Sequence, residues 1–353
     1  VTGLHVVGVD PATGARVDLW AAHGRFVDGP VADPIELSGY VLPGFVDAHC
    51  HVGYSTTGIS DLAEAEHQAR TNLHAGALAL RDCGSPLDTR PLVGRDDLPV
   101  LIRAGRHIAR TRRYIRELGV DLEDPADLPG EVANQLAYGD GWIKIVGDWI
   151  DRSIGDLAPL WPDDILAEAV AVAHARGARV TTHVFGEDAL PGLLAAGVDC
   201  VEHGTGLTDE TIATAAGNNV HLVPTVINIA NFPSFADAAG KFPTYAKHMR
   251  DLHARNGEMI RQAVAAGIRV HAGTDAGGFV EHGRVADEVT ALAELLGARE
   301  AMFAASHAAR GWLGLPIYDV GAAADLTVYS DNPAADIGAI RHPATVVRAG
   351  RLM

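Results

Sequence analysis

The chain has 353 residues but only 3 cysteines, Cys50, Cys83 and Cys200. They form no CxxC pair and are too few for a disulfide framework, so a reducing, cytoplasmic setting is expected. Positive charge is also scarce, with 28 Lys+Arg against 45 Asp+Glu and a formal net charge of −17. Such a surface repels phosphates, which argues against nucleic-acid and anionic-membrane partners. No apolar run approaches the roughly 18 residues of a membrane span, and Val1–Asp10 does not read as a charged secretory leader. Repeats and low-complexity tracts are missing, and no GxGxxG follows a first strand to support a doubly wound open sheet. What is present is apolar material, 48% of the residues, enough for a large buried core. A soluble, acidic α/β enzyme acting on a small-molecule substrate is expected, as a homo-oligomer.

Both ends of the chain alternate short β pieces with Gly and Pro turns, at Gly3–Val9, Arg16–Ala21, Arg25–Val27, Leu326–Tyr329 and Ala344–Arg348. Between them, short apolar strands alternate with longer helical patterns. Strands are expected at Tyr40–Val46, Ala79–Asp82, Val100–Ala104, Trp142–Val146, Arg179–His183, Cys200–His203, His221–Val226 and Arg269–Gly273. The clearest helices are Asp61–Ala75, Asp163–Arg176, Glu187–Ala196, Tyr245–Ala266 and Ala286–Leu296. Strand and helix in this rhythm predict an α/β fold, a (β/α)₈ TIM barrel over residues 40–319. Residues 1–39 plus 320–353 are expected to form a small accessory β-sandwich.

A barrel of this kind carries its functional residues at the C-terminal ends of its strands. The first strand runs into Asp47-Ala48-His49-Cys50-His51, and side chains two apart point to one face, so His49 and His51 share the barrel mouth. Two imidazoles do not make a site, but the other strand ends add to them. The fifth ends at His183, the sixth at His203 and the eighth at Asp275, while Lys144 sits inside the fourth among apolar neighbours. Burial penalises an ammonium group, and a neutral amine adds carbon dioxide to give a carbamate, an anion able to bridge two cations. Two divalent ions would then be balanced by carbamate, aspartate and hydroxide. Nitrogen and oxygen ligands suit zinc, with manganese, cobalt and iron compatible.

These segments resemble the amidohydrolase superfamily of metal-dependent barrel hydrolases. The resemblance runs through Leu42–His51, Arg81-Asp82-Cys83-Gly84, Val201-Glu202-His203-Gly204, His221–Thr225 and Gly273–Gly277, and on to Ala323–Tyr329 with Asn332-Pro333. It is nearest to the imidazolonepropionase-like and prolidase-like branch. The resemblance implies that His49, His51 and Asp275 hold one metal, that His183 and His203 hold the other, and that Lys144, N6-carboxylated, bridges them. It also implies that Asp275 is the catalytic acid–base while a metal-bridging hydroxide attacks an amide carbon.

Two departures leave dipeptide specificity open. Thr111-Arg112-Arg113-Tyr114 stands where this branch often has Gly-Gly-His-Gly. Val226–Asn231 stands where some dipeptidases have a tyrosine. His107, Arg112, Arg113, Tyr114 and Asn228 are therefore the candidate substrate contacts. Arg106, Arg110, Arg112 and Arg113 read either as a solvated face or as a grip for a carboxylate. Trp149, Asp151 and Arg152 read as rim or packing, His271 as packing, and Glu187 as a helix cap. The leading reading is hydrolysis of an amide in a small substrate, such as an N-acyl amino acid or dipeptide. The alternatives are a mononuclear deaminase or cyclic-amide or amidine hydrolase, a lactone or phosphotriester hydrolase, and a catalytically silent scaffold.

Overall fold

Pro43 and Gly44 divide the first long β stretch in two. Where one strand is expected over Tyr40–Val46, the computed structural model, which describes residues 3–353, has Ile35–Leu42 and Phe45–Cys50 in separate sheets. Proline offers no N–H to a ladder. Gly44 has a φ of 79°, and a Cβ there would run into Leu78.

Ile35–Leu42 belongs to a seven-stranded sheet assembled from both ends of the chain. Its order is Arg351–Leu352, Thr345–Arg348, Leu326–Tyr329, Ile35–Leu42, Leu4–Val9, Arg16–Ala22 and Arg25–Val27. Only Leu4–Val9 and Ile35–Leu42 run parallel. An Arg25–Ala323 bridge ties the outer strand back towards Leu326, which covers an edge that would otherwise be open to other chains. Leu4, Val6, Phe26, Val41, Leu326 and Val347 fill the core beside this sheet.

The parallel part begins with Phe45–Cys50, which pairs with Ala77–Asp82, itself paired with Val100–Arg103. A second parallel sheet follows chain order through Trp142–Val146, Arg179–Val184, Cys200–His203 and His221–Val223. The strand expected at Arg269–Gly273 is instead an extended segment that joins the two sheets by single bridges, Val270 to Leu222 and Ala276 to Cys50. At Gly273 this segment passes so close to the first strand that a Cβ would lie 2.7 Å from that of His49. The strand expected to reach Val226 stops at Val223, because Pro224 lacks an N–H and Thr225 turns left-handed with φ 46°. The third and fourth strands are joined by Asp140, whose N–H donates to the Arg103 carbonyl at 2.7 Å and whose carboxylate holds the Arg103 guanidinium.

Helices pack outside these strands. Leu62–His74, Asp163–His174, Pro243–Ala265 and Val285–Leu296 match the expected helices to within two residues at each end. In the long helix Pro243–Ala265, Ala246, Met249, Leu252, Asn256 and Met259 recur at three- and four-residue spacing and are buried. The helix expected from Glu187 starts at Leu190, and its N-terminus has no side-chain cap. Glu187 is instead paired with His248 and Arg255 of the long helix. Among the described residues, no helix is long and apolar enough to cross a membrane. Cys50, Cys83 and Cys200 are buried and unpaired.

Candidate metal centre

His49 and His51 meet at the end of the first strand, where its ladder to the second shifts register between Asp47 and Cys50. Each ring donates its Nδ1 proton away from the other. His49 Nδ1 donates to Glu202 Oε2 at 2.8 Å, and His51 Nδ1 donates to the Gly84 carbonyl at 2.7 Å. The two Nε2 atoms are left 3.3 Å apart, at 3.2 and 3.0 Å from Asp275 Oδ1. Two lone pairs and a carboxylate oxygen so placed ask for a positive charge among them. The donor atoms of His49, His51 and Asp275 all lie within 4.8 Å of one another.

The other expected ligands adjoin this trio. The His203 ring is 5.1 Å from that of His49, and the His183 ring is 4.7 Å from that of His203, centroid to centroid. Lys144 is fully buried, and neither its Nζ nor His183 Nε2 has a hydrogen-bond partner. Burial drives the His203 imidazole down to about 3. Burial, followed by His203 and Lys144, holds His183 well below the ordinary histidine range. Burial raises the Asp275 carboxyl, but His49 and His51 outweigh it and hold that group well below the usual carboxylate range. For His49, burial and Lys144 lower the pKa, while Asp275 and Glu202 raise it and prevail. The negative pull on His49 from Asp275 and Glu202 is one a metal cation satisfies as well as a proton. His203 at φ 66°, Thr225 at 46° and Asp275 at 58° all hold the left-handed region. This is a backbone cost concentrated where side chains must be aimed.

The residues behind the ligands were not singled out by sequence. Glu202 is fully buried and takes the Arg81 guanidinium at 2.5 Å, the Thr181 hydroxyl and His49 Nδ1. Arg81 is itself sandwiched, with its guanidinium carbon 4.6 Å from the Trp142 ring centre and 4.8 Å from that of Trp312. Asp47 accepts the Thr274 N–H and hydroxyl at 2.9 and 2.6 Å and so ties the first strand to the Asp275 segment. Asp148 accepts the N–H groups of Phe185 and Gly186 just past His183. Glu288 accepts those of Val226 and Ile227 at 2.9 Å each. Burial is the leading cause that pushes these three carboxyls up, to about 6, 7 and 8. His203 Nδ1 lies 2.7 Å from Thr225 Oγ1. Cys83 and Glu202 also lie near His49, but Glu202 is already engaged and burial raises the Cys83 thiol well above its usual range.

A cavity of about 870 Å³ opens over His51, His183 and Asp275. Of the expected substrate contacts, Tyr114 and Asn228 line it, and Asn228 Nδ2 donates to Asp275 Oδ2 at 2.6 Å. His107 does not: it is fully buried, 4.8 Å from the His51 ring and 5.4 Å from that of Tyr114. Arg112 and Arg113 are also absent from the lining. Arg113 is committed to Asp151 at 2.8 Å and to the carbonyls of Trp149 and Ala158, and Arg112 is exposed. The cations that line the cavity are Arg152 and Lys241, both exposed. His271 packs as expected, with Nε2 2.8 Å from His221 Nδ1 and its ring stacked on Trp312.

Parallel strands that bring His51, His183 and Asp275 to one cavity, with His49, His203 and Lys144 buried, make a candidate metal site on an α/β scaffold. Residues 40–353 match the amidohydrolase family, and the chain belongs to it. Membership makes the protein a hydrolase acting on carbon–nitrogen bonds. An uncharacterized protein of Mycobacterium tuberculosis is 55% identical over 351 residues, 99% of this chain and 95% of its own length. A crystal structure of a Xaa-Pro dipeptidase with methionine bound in its active site is similar, with 22% identity and a TM-score of 0.81 over 100% of this chain and 99% of that one. Ochratoxinase from A. niger has 17% identity and a TM-score of 0.81 over 99% of this chain and 95% of that one. At these identities the two structures establish a shared fold.

Proposed function

We propose that this chain is a metal-dependent amidohydrolase that cleaves an amide C–N bond, with Asp275 as its acid–base. The observation that carries this reading is the convergence of His49 Nε2, His51 Nε2 and Asp275 Oδ1, all turned inward while both rings donate outward. His183, His203 and Lys144 extend the same donor set, and the unpartnered buried Nζ of Lys144 and Nε2 of His183 fit a role as ligands. In this reading His49, His51 and Asp275 would hold one divalent ion and His183 and His203 a second, with Lys144, as a carbamate, serving both and zinc as the metal. Such ions supply Lewis acidity, which polarises a carbonyl and makes water nucleophilic at neutral pH.

The protein's own groups account for the remaining steps. The cavity presents the substrate carbonyl beside Asp275, and Asn228 fixes Asp275 Oδ2 by its 2.6 Å hydrogen bond. Asp275 accepts the proton that the attacking water loses and delivers it to the departing nitrogen. The C–N bond breaks, giving a carboxylic acid and an amine. Catalysis in a closed (β/α)₈ barrel over residues 40–319, with the terminal sheet folded into a sandwich, is part of this reading. The bridges at Val270, Ala276 and Arg25 support it. The three buried, unpaired thiols suit a cytoplasmic enzyme. The mononuclear deaminase reading draws on Glu187, the acid four residues after His183, and that carboxylate is already held by His248 and Arg255.

Asp275→Asn tests the assignment. The kcat for an N-acyl amide, measured at saturating zinc, should fall by about 10²–10⁴-fold. Full activity in this variant would end the proposal.

A further inference from the structure

We infer that the substrate is a bulky amide with an uncharged aromatic body, too large for a dipeptide site, whose rings lie along an aromatic wall that leads from His183 to solvent. The inference rests on the hydrolase reading above and goes beyond it by naming the chemical class of substrate.

The wall is continuous. Ring centres run from His183 to Phe185 at 4.3 Å, Phe185 to Phe232 at 4.7 Å, Phe232 to Phe235 at 6.1 Å and Phe235 to Phe279 at 4.6 Å. Tyr114 and Trp149 extend the wall: they are 4.7 Å apart, at 5.4 and 5.3 Å from His183, and Trp149 lies 6.2 Å from Phe185. Phe185, Phe235, Phe279, Tyr114 and Trp149 line the cavity, and the fully buried Phe232 backs them. Phe279 is 67% exposed at the outer end. Its contact with Phe235 makes it the outer end of a contiguous apolar lining and not a singly exposed ring.

Volume and charge agree with this. About 870 Å³ is the capacity of a site for a drug-sized ligand, and two residues fill only a fraction of it. A dipeptide's carboxylate calls for a fixed, half-buried cation close to the scissile bond. Arg113, the nearest such group expected from sequence, is spent on Asp151. Arg152 and Lys241 are exposed, so a carboxylate on the substrate would meet only solvent-screened charge.

The test uses three amides and the zinc-loaded enzyme. N-phenethylbenzamide is neutral with two rings; its hydrolysis adds one water and yields benzoate and phenethylammonium. N-benzoylphenylalanine has the same skeleton plus one carboxylate, and alanyl-proline is small and zwitterionic. Burying a phenyl ring is worth about ten- to a hundredfold, so kcat/KM for N-phenethylbenzamide should exceed that for alanyl-proline by about a hundredfold. The added carboxylate should change kcat/KM by less than about tenfold. Phe279→Ser, which removes an exposed ring and should leave the unfolding midpoint unchanged, should raise KM for N-phenethylbenzamide about tenfold.

An advantage over alanyl-proline of less than about tenfold, or a carboxylate effect above that size, overturns the substrate class and leaves the hydrolase reading standing. Binding separates the two claims. Calorimetric titration of the zinc-loaded enzyme with the non-hydrolysable ketone isostere of N-phenethylbenzamide should give a Kd at least about tenfold below that of alanyl-proline. Tight binding with no turnover of any amide supports the ligand class and defeats the hydrolase reading. Binding no tighter than that of alanyl-proline overturns the class.

Discussion

Glu202 carries three buried contacts at once: the Arg81 guanidinium, the Thr181 hydroxyl and the Nδ1 proton of His49. The last of these fixes which nitrogen of His49 faces Asp275, a requirement common to histidine ligands with a carboxylate behind them. Glu202→Gln should therefore weaken metal binding about 10–100-fold, read by competition against a chelator. It also leaves the buried Arg81 charge without its partner, so stability should fall by about 3–5 kcal/mol in urea unfolding. Unchanged metal affinity would make Glu202 a packing residue. At this scale the sequence pointed to candidate ligands and was silent about the groups behind them. His49 and His51 stand out because a two-residue spacing on a strand end has a direct geometric meaning. Glu202 lies 121 residues from Arg81 and 153 from His49, and nothing local announces either contact. The same distance effect hides the partner of Arg113, whose charge alone does not reveal its pairing with Asp151.

At the scale of elements, two packing devices hold the site's strands and helices in place. The first is the close passage of Gly273 past the first strand. A Cβ there would lie 2.7 Å from that of His49 and would also collide with Val223. Gly273→Ala should cost about 1–3 kcal/mol in urea unfolding and displace the histidine pair, lowering metal occupancy. The second is the clamp between Glu187, Asp156 and His248, which joins the His183 loop to the long helix. The hydrogen bond to Glu187 leads the causes that raise His248 from 6.5 to about 9. A raised folded-state value stabilises fully below the unfolded value and is lost as pH climbs through the folded one. The clamp should therefore contribute about 1–2 kcal/mol at pH 6 that fades between about pH 6.5 and 9. His248→Gln should flatten unfolding stability across that window, and a variant with the wild-type slope would show that the clamp is not its source. The long amphipathic helices and apolar strands were legible because their periodicity is set by their own buried faces. The short helices Val226–Ile229 and Phe232–Ala238 and the hairpin of Asp148–Asp151 with Asp156–Pro159 were not. They are too short for a period of their own and are held by distant partners, as Glu288 holds Val226 and Ile227. These are also the pieces that shape the cavity, which is why the fold was readable further than the substrate.

At the scale of the whole molecule, the charge balance and the architecture point the same way. A chain with net charge −17 places His49, His51, His183, His203 and the buried Lys144 close together, where strand ends from distant parts of the sequence converge. Metal bound there would link elements across the fold. Chelation should therefore abolish turnover and lower the unfolding midpoint, with about 2.7 kcal/mol of stabilisation regained when free metal reaches a hundredfold over its Kd. A midpoint insensitive to chelator would separate the metal from the fold. The measurement closest to the central claim is metal content per chain by elemental mass spectrometry, on protein reconstituted with zinc and bicarbonate. The account predicts about two divalent ions per chain, falling when Lys144 is replaced by alanine. About one ion, unchanged by that substitution, would contradict the lysine-bridged centre, and none would contradict a metal-dependent site altogether.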